Sequence, residues 1–257
     1  MGDQRVILIS ANWKMHLNNV EALSLVQQFA AHLSASPIPP GREVSIHPPF
    51  TSLATVKAAI ETYRLPVVLG AQTCHFADSG AYTGEVSAGM LASLNVRYVI
   101  AGHSELRAQC GETDEVVRDK VSAIYRHAMR PILCVGETTA ERNSGVAERK
   151  VRRQVASALG DRPAELVAAA VIAYEPLWAI GAGVTATPDD AAQMCTAIRN
   201  ELGNLAGVDE AAMVRIQYGG SVTAESSGAL LGAENVDGFL VGGASLDAEQ
   251  FSTIVTG

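Results

Sequence analysis

Cysteine is scarce in this sequence: Cys74, Cys110, Cys134 and Cys195 are the only four in 257 residues. None form a Cys-x-x-Cys pair. A disulfide framework is therefore not expected, and so few thiols in a long chain fit a reducing, cytoplasmic setting. The six histidines show neither His-x-x-x-His nor Cys/His spacing, which argues against a metal centre. Positive charge is in deficit. Lysine plus arginine number 19 against 27 aspartates plus glutamates, a formal charge of −8. Nucleic acid and anionic membranes are poor partners for such a chain, because each needs a basic face. Any anionic ligand has to be held by a local positive site. Long apolar runs are missing as well, since the one around Ala168 to Ala173 stops short of Glu175 and is too brief for a bilayer. The N-terminal apolar run behind one arginine is too short for a signal peptide. Val6 stands where a myristoylated Gly2 would need serine or threonine. Low-complexity sequence is absent, and Pro37 to Gly41 is the one proline-rich stretch, short enough for a loop.

What is present is apolar and periodic, with 48% hydrophobic residues, which rules out a disordered chain. Short β-branched runs recur at Val6–Ser10, Val44–His47, Val67–Gly70, Arg97–Ala101, Pro131–Val135, Val171–Tyr174, Val214–Tyr218 and Gly238–Val241. Each reads as apolar on both faces, the pattern of buried parallel strands. Helical patterns lie between them. Val117, Val121, Ile124, Tyr125 and Ala128 share one face, with Asp114 and Glu115 in the first turn and Arg126 and His127 in the last, as the helix dipole prefers. Thr187-Pro188-Asp189-Asp190 reads as a cap, a proline at the first helical position and an acidic first turn. Val20, Leu23, Val26, Phe29, Ala30 and Leu33 form a further stripe. Eight strands alternating with helices over 1–257 predict one (β/α)8 barrel domain, with a doubly wound open sheet as the alternative.

In a (β/α)8 barrel, chemistry sits at the C-terminal ends of the strands. Just past them come Asn12 and Lys14, Gln72, the run His103-Ser104-Glu105, Glu175, Ser221 and the pair Gly242-Gly243. Taken singly, each has a plain reading. His103 could be a core histidine, Lys14 a solvated charge, and the glycine pairs turns. Glu175, close to an apolar strand, is either structurally paired or has a raised pKa and works as a base. Together they supply a base (Glu175), a neutral hydrogen-bond donor at a helix start (His103), a cation (Lys14) and a backbone phosphate nest (Ser221, Gly242, Gly243). Those are the parts for moving a proton next to a carbonyl, with no metal or organic cofactor. The apolar stretch Pro176 to Ala186 that follows Glu175 reads as a lid that keeps water from a reactive intermediate.

Seven segments then carry a resemblance: Ala11-Asn12-Trp13-Lys14-Met15, Gly80 to Glu85, Ala101 to Glu105, Ile132 to Thr138, Ala173 to Gly181, Tyr218 to Val222 and Val241 to Leu246. In that order they resemble the triosephosphate isomerase family over essentially the whole chain. The resemblance implies a single-domain (β/α)8 TIM barrel interconverting D-glyceraldehyde 3-phosphate and dihydroxyacetone phosphate in glycolysis and gluconeogenesis, without cofactor or metal. It implies Glu175 as base, His103 as electrophile, and Lys14 with Asn12 as substrate contacts. It further implies Glu105 beside the lysine, and Gly181, Ser221, Gly242 and Gly243 at the phosphate. Tyr218 would hold the closed lid and Cys134 would pack near the base. Thr83 would sit at the tip of a loop entering a second subunit, hence a homodimer.

Some positions depart from the family pattern. Leu106 stands where the first of two arginines is usual, Val184 where a lysine is common, and His127-Ala128 where an apolar–glycine pair is common. These would suit a paralogue acting on a four-carbon ketose phosphate. Two further alternatives are a hydrolase using Ser104, whose surroundings have the strand–turn–helix layout of a nucleophile elbow, and a non-catalytic phosphate-binding barrel. Leu106 stands where the elbow wants glycine, and the retained Glu175 and His103 argue against a pure binder.

Overall fold

Eight parallel strands, β1 Ile7–Asn12, β2 Arg42–His47, β3 Val68–Ala71, β4 Tyr98–Ala101, β5 Arg130–Val135, β6 Val171–Tyr174, β7 Arg215–Tyr218 and β8 Gly238–Val241, pair in sequence order in the computed structural model. β8 returns to β1, so the sheet closes into a barrel with helices outside it. The structure describes residues 5–180 and 186–257. Gly181 and Val184 lie outside the described residues. The open-sheet alternative is thereby excluded. Closure depends on Gly238, whose φ is +140° and where a Cβ would stand 1.8 Å from the Leu8 carbonyl oxygen. Only a residue without a side chain lets β8 approach β1 this closely. Among the described residues no helix is long and apolar enough to cross a membrane.

The helices follow their local signals. Thr113 caps the helix Asp114–Arg126, which buries Val117, Val121 and Ile124. Thr187 accepts the Asp190 N–H and Pro188 opens the helix Pro188–Ala206, as its sequence predicts. The stripe on the helix Asn19–Ala35 differs from expectation. The buried set is Ala22, Leu25, Val26, Phe29 and Leu33, whereas Val20 is 79% and Leu23 36% exposed. Val20, Leu23 and Val26 are each three apart, and steps of three drift round a helix of 3.6 residues per turn. Ala128 lies beyond its helix at φ +56°, a left-handed position that costs a non-glycine residue about 1–2 kcal/mol.

The barrel interior is more polar than the strand pattern predicts. Ser10, Ser45, His47 and Gln217 are all fully buried. They are tolerated because they bond to one another and to the strands. The Ser45 hydroxyl lies 2.8 Å from Ser10 Oγ and 2.9 Å from His47 Nε2. His47 Nδ1 is 3.0 Å from the Ala71 carbonyl. The Gln217 amide donates to the Leu8 and Phe239 carbonyls and to Ser10 Oγ. Burial pushes the His47 imidazole down to about 4, against the pull of the Ala71 carbonyl.

Because the folded state holds this histidine neutral, its contribution is complete above the unfolded value near 6.5. It is lost as the pH falls from there toward 4. The loss is about 2 kcal/mol between pH 6.5 and about pH 5. Urea midpoints measured over that interval should fall more steeply for the wild type than for His47→Asn. Equal slopes would show that His47 does not titrate on unfolding.

Candidate active site

At the C-terminal rim, Asn12 is the last residue of β1 and not the first residue beyond it, since the strand runs two residues further than its sequence pattern indicates. Its side-chain oxygen accepts the Lys14 N–H at 3.1 Å. The Gln72 amide donates to the Lys14 carbonyl at 2.8 Å and to the His47 carbonyl at 2.9 Å. These bonds hold Lys14 at φ +53°, a conformation a lysine adopts only when its surroundings impose it. Lys14 Nζ then reaches Glu105 Oε1 at 2.6 Å, with both side chains partly exposed.

β4 ends at Ala101. Gly102, at φ +74°, turns the chain, and His103 becomes the N-cap of the helix Ser104–Cys110. His103 Nδ1 accepts the Glu105 N–H at 3.3 Å. A nitrogen that accepts cannot carry the proton, which leaves Nε2 to donate. That Nε2 lies 3.0 Å from Glu175 Oε1.

Glu175 follows β6 directly and is anchored by its N–H to the Val135 carbonyl at 2.8 Å. Only 2% of it is exposed. Besides the histidine, its carboxylate accepts the Ser104 N–H and the Ser104 hydroxyl, each at 3.0 Å. These partners, His103 and Ser104, stand at the wall of a cavity. The Ser104 hydroxyl donates a hydrogen bond to a carboxylate, and among the described residues no histidine bonds to it, unlike the arrangement a serine hydrolase needs. Ser104 was singled out from sequence only as that nucleophile; its contact with Glu175 spans 71 positions, and no local signal marks it. Cys134 is fully buried. Its thiol is pushed well up, first by burial and then by the charge of Glu175, so it packs and does not react.

A cavity of about 310 Å³ collects Asn12, Lys14, His103, Glu175, Ser221, Gly242 and Gly243. It also includes Ile180, from the stretch read as a lid, and Thr223 and Leu240, which drew no attention in the sequence because such apolar and hydroxyl residues carry no distinguishing pattern. The Lys14 stem passes over Gly242, where a Cβ would sit 3.4 Å from Lys14 Cε. Glu105 and Tyr218 stand behind the wall. The Tyr218 hydroxyl is buried without a partner among the described residues and is pushed up to about 12 by burial. It lies where a Cβ on Gly220 would be, at 2.2 Å. Thr83 is exposed in the turn 83–84, away from this cavity. Among the described residues, no group of three or more His, Cys, Asp or Glu side chains is arranged to hold a metal ion.

The segment after Glu175 starts as a short turn of 3-10 helix, Leu177–Ala179. Trp178 Nε1–H donates to Glu137 Oε1 at 2.7 Å and the Tyr174 hydroxyl donates to the same oxygen at 2.9 Å. Glu137 has no exposed side-chain surface, and burial raises its carboxyl above the usual range against those two bonds. Neither Glu137 nor its partners were legible as a unit, because the contacts join β5, β6 and the segment beyond.

The family model described as Triosephosphate isomerase matches residues 7–257. The triosephosphate isomerase of Carboxydothermus hydrogenoformans is 47% identical over 249 residues, which is 97% of this chain and 97% of that protein. That of Chloroflexus aurantiacus is 47% identical over 251 residues, covering 98% of each. That of Mycolicibacterium vanbaalenii is 45% identical over 247 residues, covering 96% of this chain and 94% of its own.

Proposed function

The chain belongs to the triosephosphate isomerase family, and from that premise we infer that it interconverts D-glyceraldehyde 3-phosphate and dihydroxyacetone phosphate in glycolysis and gluconeogenesis. The observation that carries the reading is the pairing of a buried carboxylate, Glu175, with the His103 imidazole at 3.0 Å on the wall of a cavity that also holds Lys14.

Glu175 removes a proton from the carbon next to the carbonyl and returns it to the neighbouring carbon. The negative charge that develops on oxygen meets the His103 Nε2–H and the Lys14 ammonium. The same Nε2–H that donates to Glu175 is the one a substrate oxygen takes, so the two exchange places at the histidine. Ser221, Gly242 and Gly243 hold the phosphate, and that remote contact orients the reacting carbons. Gly181 belongs with them by resemblance. Tyr218, whose buried hydroxyl has no partner among the described residues, holds the lid by resemblance, and Glu105 keeps Lys14 in place. The exposed Thr83 loop is the contact to a second copy, making the protein a homodimer acting in the cytoplasm.

A coupled assay in EDTA tests the reading, run on a peak whose scattering mass is first compared with the 26.9 kDa of one chain. The expected result is a particle of twice that mass that turns over the three-carbon substrates and leaves a four-carbon ketose phosphate almost untouched. A folded sample with no triose turnover, or with faster four-carbon turnover, would overturn it.

A further inference from the structure

We propose that Arg142 is a positioning residue for the isomerisation, its guanidinium tying Trp178, just past the base, to the start of the helix Pro188–Ala206. The proposal rests on the isomerase reading. Arg142 lies on the short helix Thr139–Asn143, whose start is fixed by a reciprocal Thr138–Glu141 capping box. On one side its Cζ stacks 4.0 Å over the Trp178 ring, and Nη1 stands 3.8 Å from the buried Glu137 Oε1 that also holds the indole N–H. On the other side Nη2 donates to Asp190 Oδ1 at 2.5 Å. The second oxygen of Asp190 accepts both the N–H and the hydroxyl of Thr187, at 3.0 and 2.7 Å.

One planar cation therefore links Trp178, just past the base, to Thr187, where the chain rejoins the barrel. Ile180, between those anchors, lines the substrate cavity. A guanidinium suits this task because it can stack with its face and donate with its edge at once, whereas a lysine ammonium would keep the ion pair and lose the stack. An isolated surface ion pair contributes little to stability. This one bridges two specific anchors around a reaction that has to exclude water.

The chemistry supplies a readout that a merely structural role would not move. In the enediolate intermediate, the electron pair on carbon can expel the phosphate. The C–O bond to phosphorus breaks, a new C=C forms, inorganic phosphate leaves with the bonding electrons, and the remaining enol takes a proton on carbon to become methylglyoxal. No oxidant is needed. Water reaching the cavity past a displaced Ile180 raises this loss relative to isomerisation.

The experiment measures kcat, KM and inorganic phosphate released per isomerisation for the wild type, Arg142→Ala and Arg142→Lys. For Arg142→Ala, kcat should fall about tenfold, KM should stay within about twofold, and phosphate released per turnover should rise about tenfold. Arg142→Lys should fall between wild type and alanine. The phosphate-to-isomerisation ratio counts only working molecules, so partial unfolding leaves it unchanged. A ratio equal to wild type in Arg142→Ala overturns the proposal. A wild-type protein inactive on both triose phosphates overturns the isomerase reading instead.

Discussion

Glu175→Gln should lower kcat by about 10²–10⁴-fold, the range that loss of a general base produces when the rest of the site stays in place. The amide has the shape of the carboxylate but cannot take a proton from carbon. Its oxygen can still accept from the Ser104 hydroxyl and His103 Nε2, which both meet Oε1. Its NH2 group would face the Ser104 N–H that now meets Oε2. That donor-to-donor encounter costs about 1–3 kcal/mol of stability, not the fold. Binding of the phosphate and of the carbonyl oxygen is left to Lys14, His103 and the strand-end glycines, so KM should move by less than about threefold while kcat collapses, the pattern of an interaction made only in the transition state. Glu175→Asp gives a graded control. It keeps the base and withdraws it by one methylene, and a displacement near 1 Å costs about 10²-fold. Steady-state kinetics in both directions would check this. A Gln variant within tenfold of wild type means that another group removes the proton.

The barrel was legible because its signals are local. β-branched runs alternate with capped amphipathic helices, and most of the residues singled out at the strand ends converge on the cavity: Asn12, Lys14, His103, Glu175, Ser221, Gly242 and Gly243. What could not be read depends on contacts between distant segments. The polar interior around His47 lies on strands whose sequence looks uniformly apolar, because a buried serine among valines and isoleucines carries no sign of the partner it will meet. Ser10 and Ser45 face each other only through the register of β1 with β2. The role of Ser104 appears only when the turn after β4 is laid beside the end of β6. The outward Val20 and Leu23 show the opposite limit, where apolar identity suggests burial and helical geometry denies it. Ala128 shows a third. Its left-handed backbone is held by the fold where a glycine would be strain-free, and only the family pattern, with glycine common there, pointed to it.

His103→Gln should reduce kcat/KM by about 10²–10³-fold, the loss measured when one preorganised donor to a developing oxyanion is removed. The mechanism differs from that of the Glu175 variant, and the difference is measurable. In His103→Gln the base is intact, so the proton next to the carbonyl can still leave. What is weakened is support of the oxygen and the shift of its proton that completes isomerisation. In deuterated buffer, exchange of the carbon-bound hydrogen should therefore outpace product formation in His103→Gln, whereas in Glu175→Gln both should stop together. The side chain at 103 also caps the helix Ser104–Cys110 through the Glu105 N–H. A glutamine oxygen can take over that bond, which is the reason to prefer it to alanine. Since His103 and Glu175 share a hydrogen bond and act on one step, the double variant should lose far less than the product of the single losses. Fully multiplicative losses would mean that the two side chains act independently, and a His103→Gln enzyme with wild-type kcat/KM would remove the imidazole from the mechanism altogether.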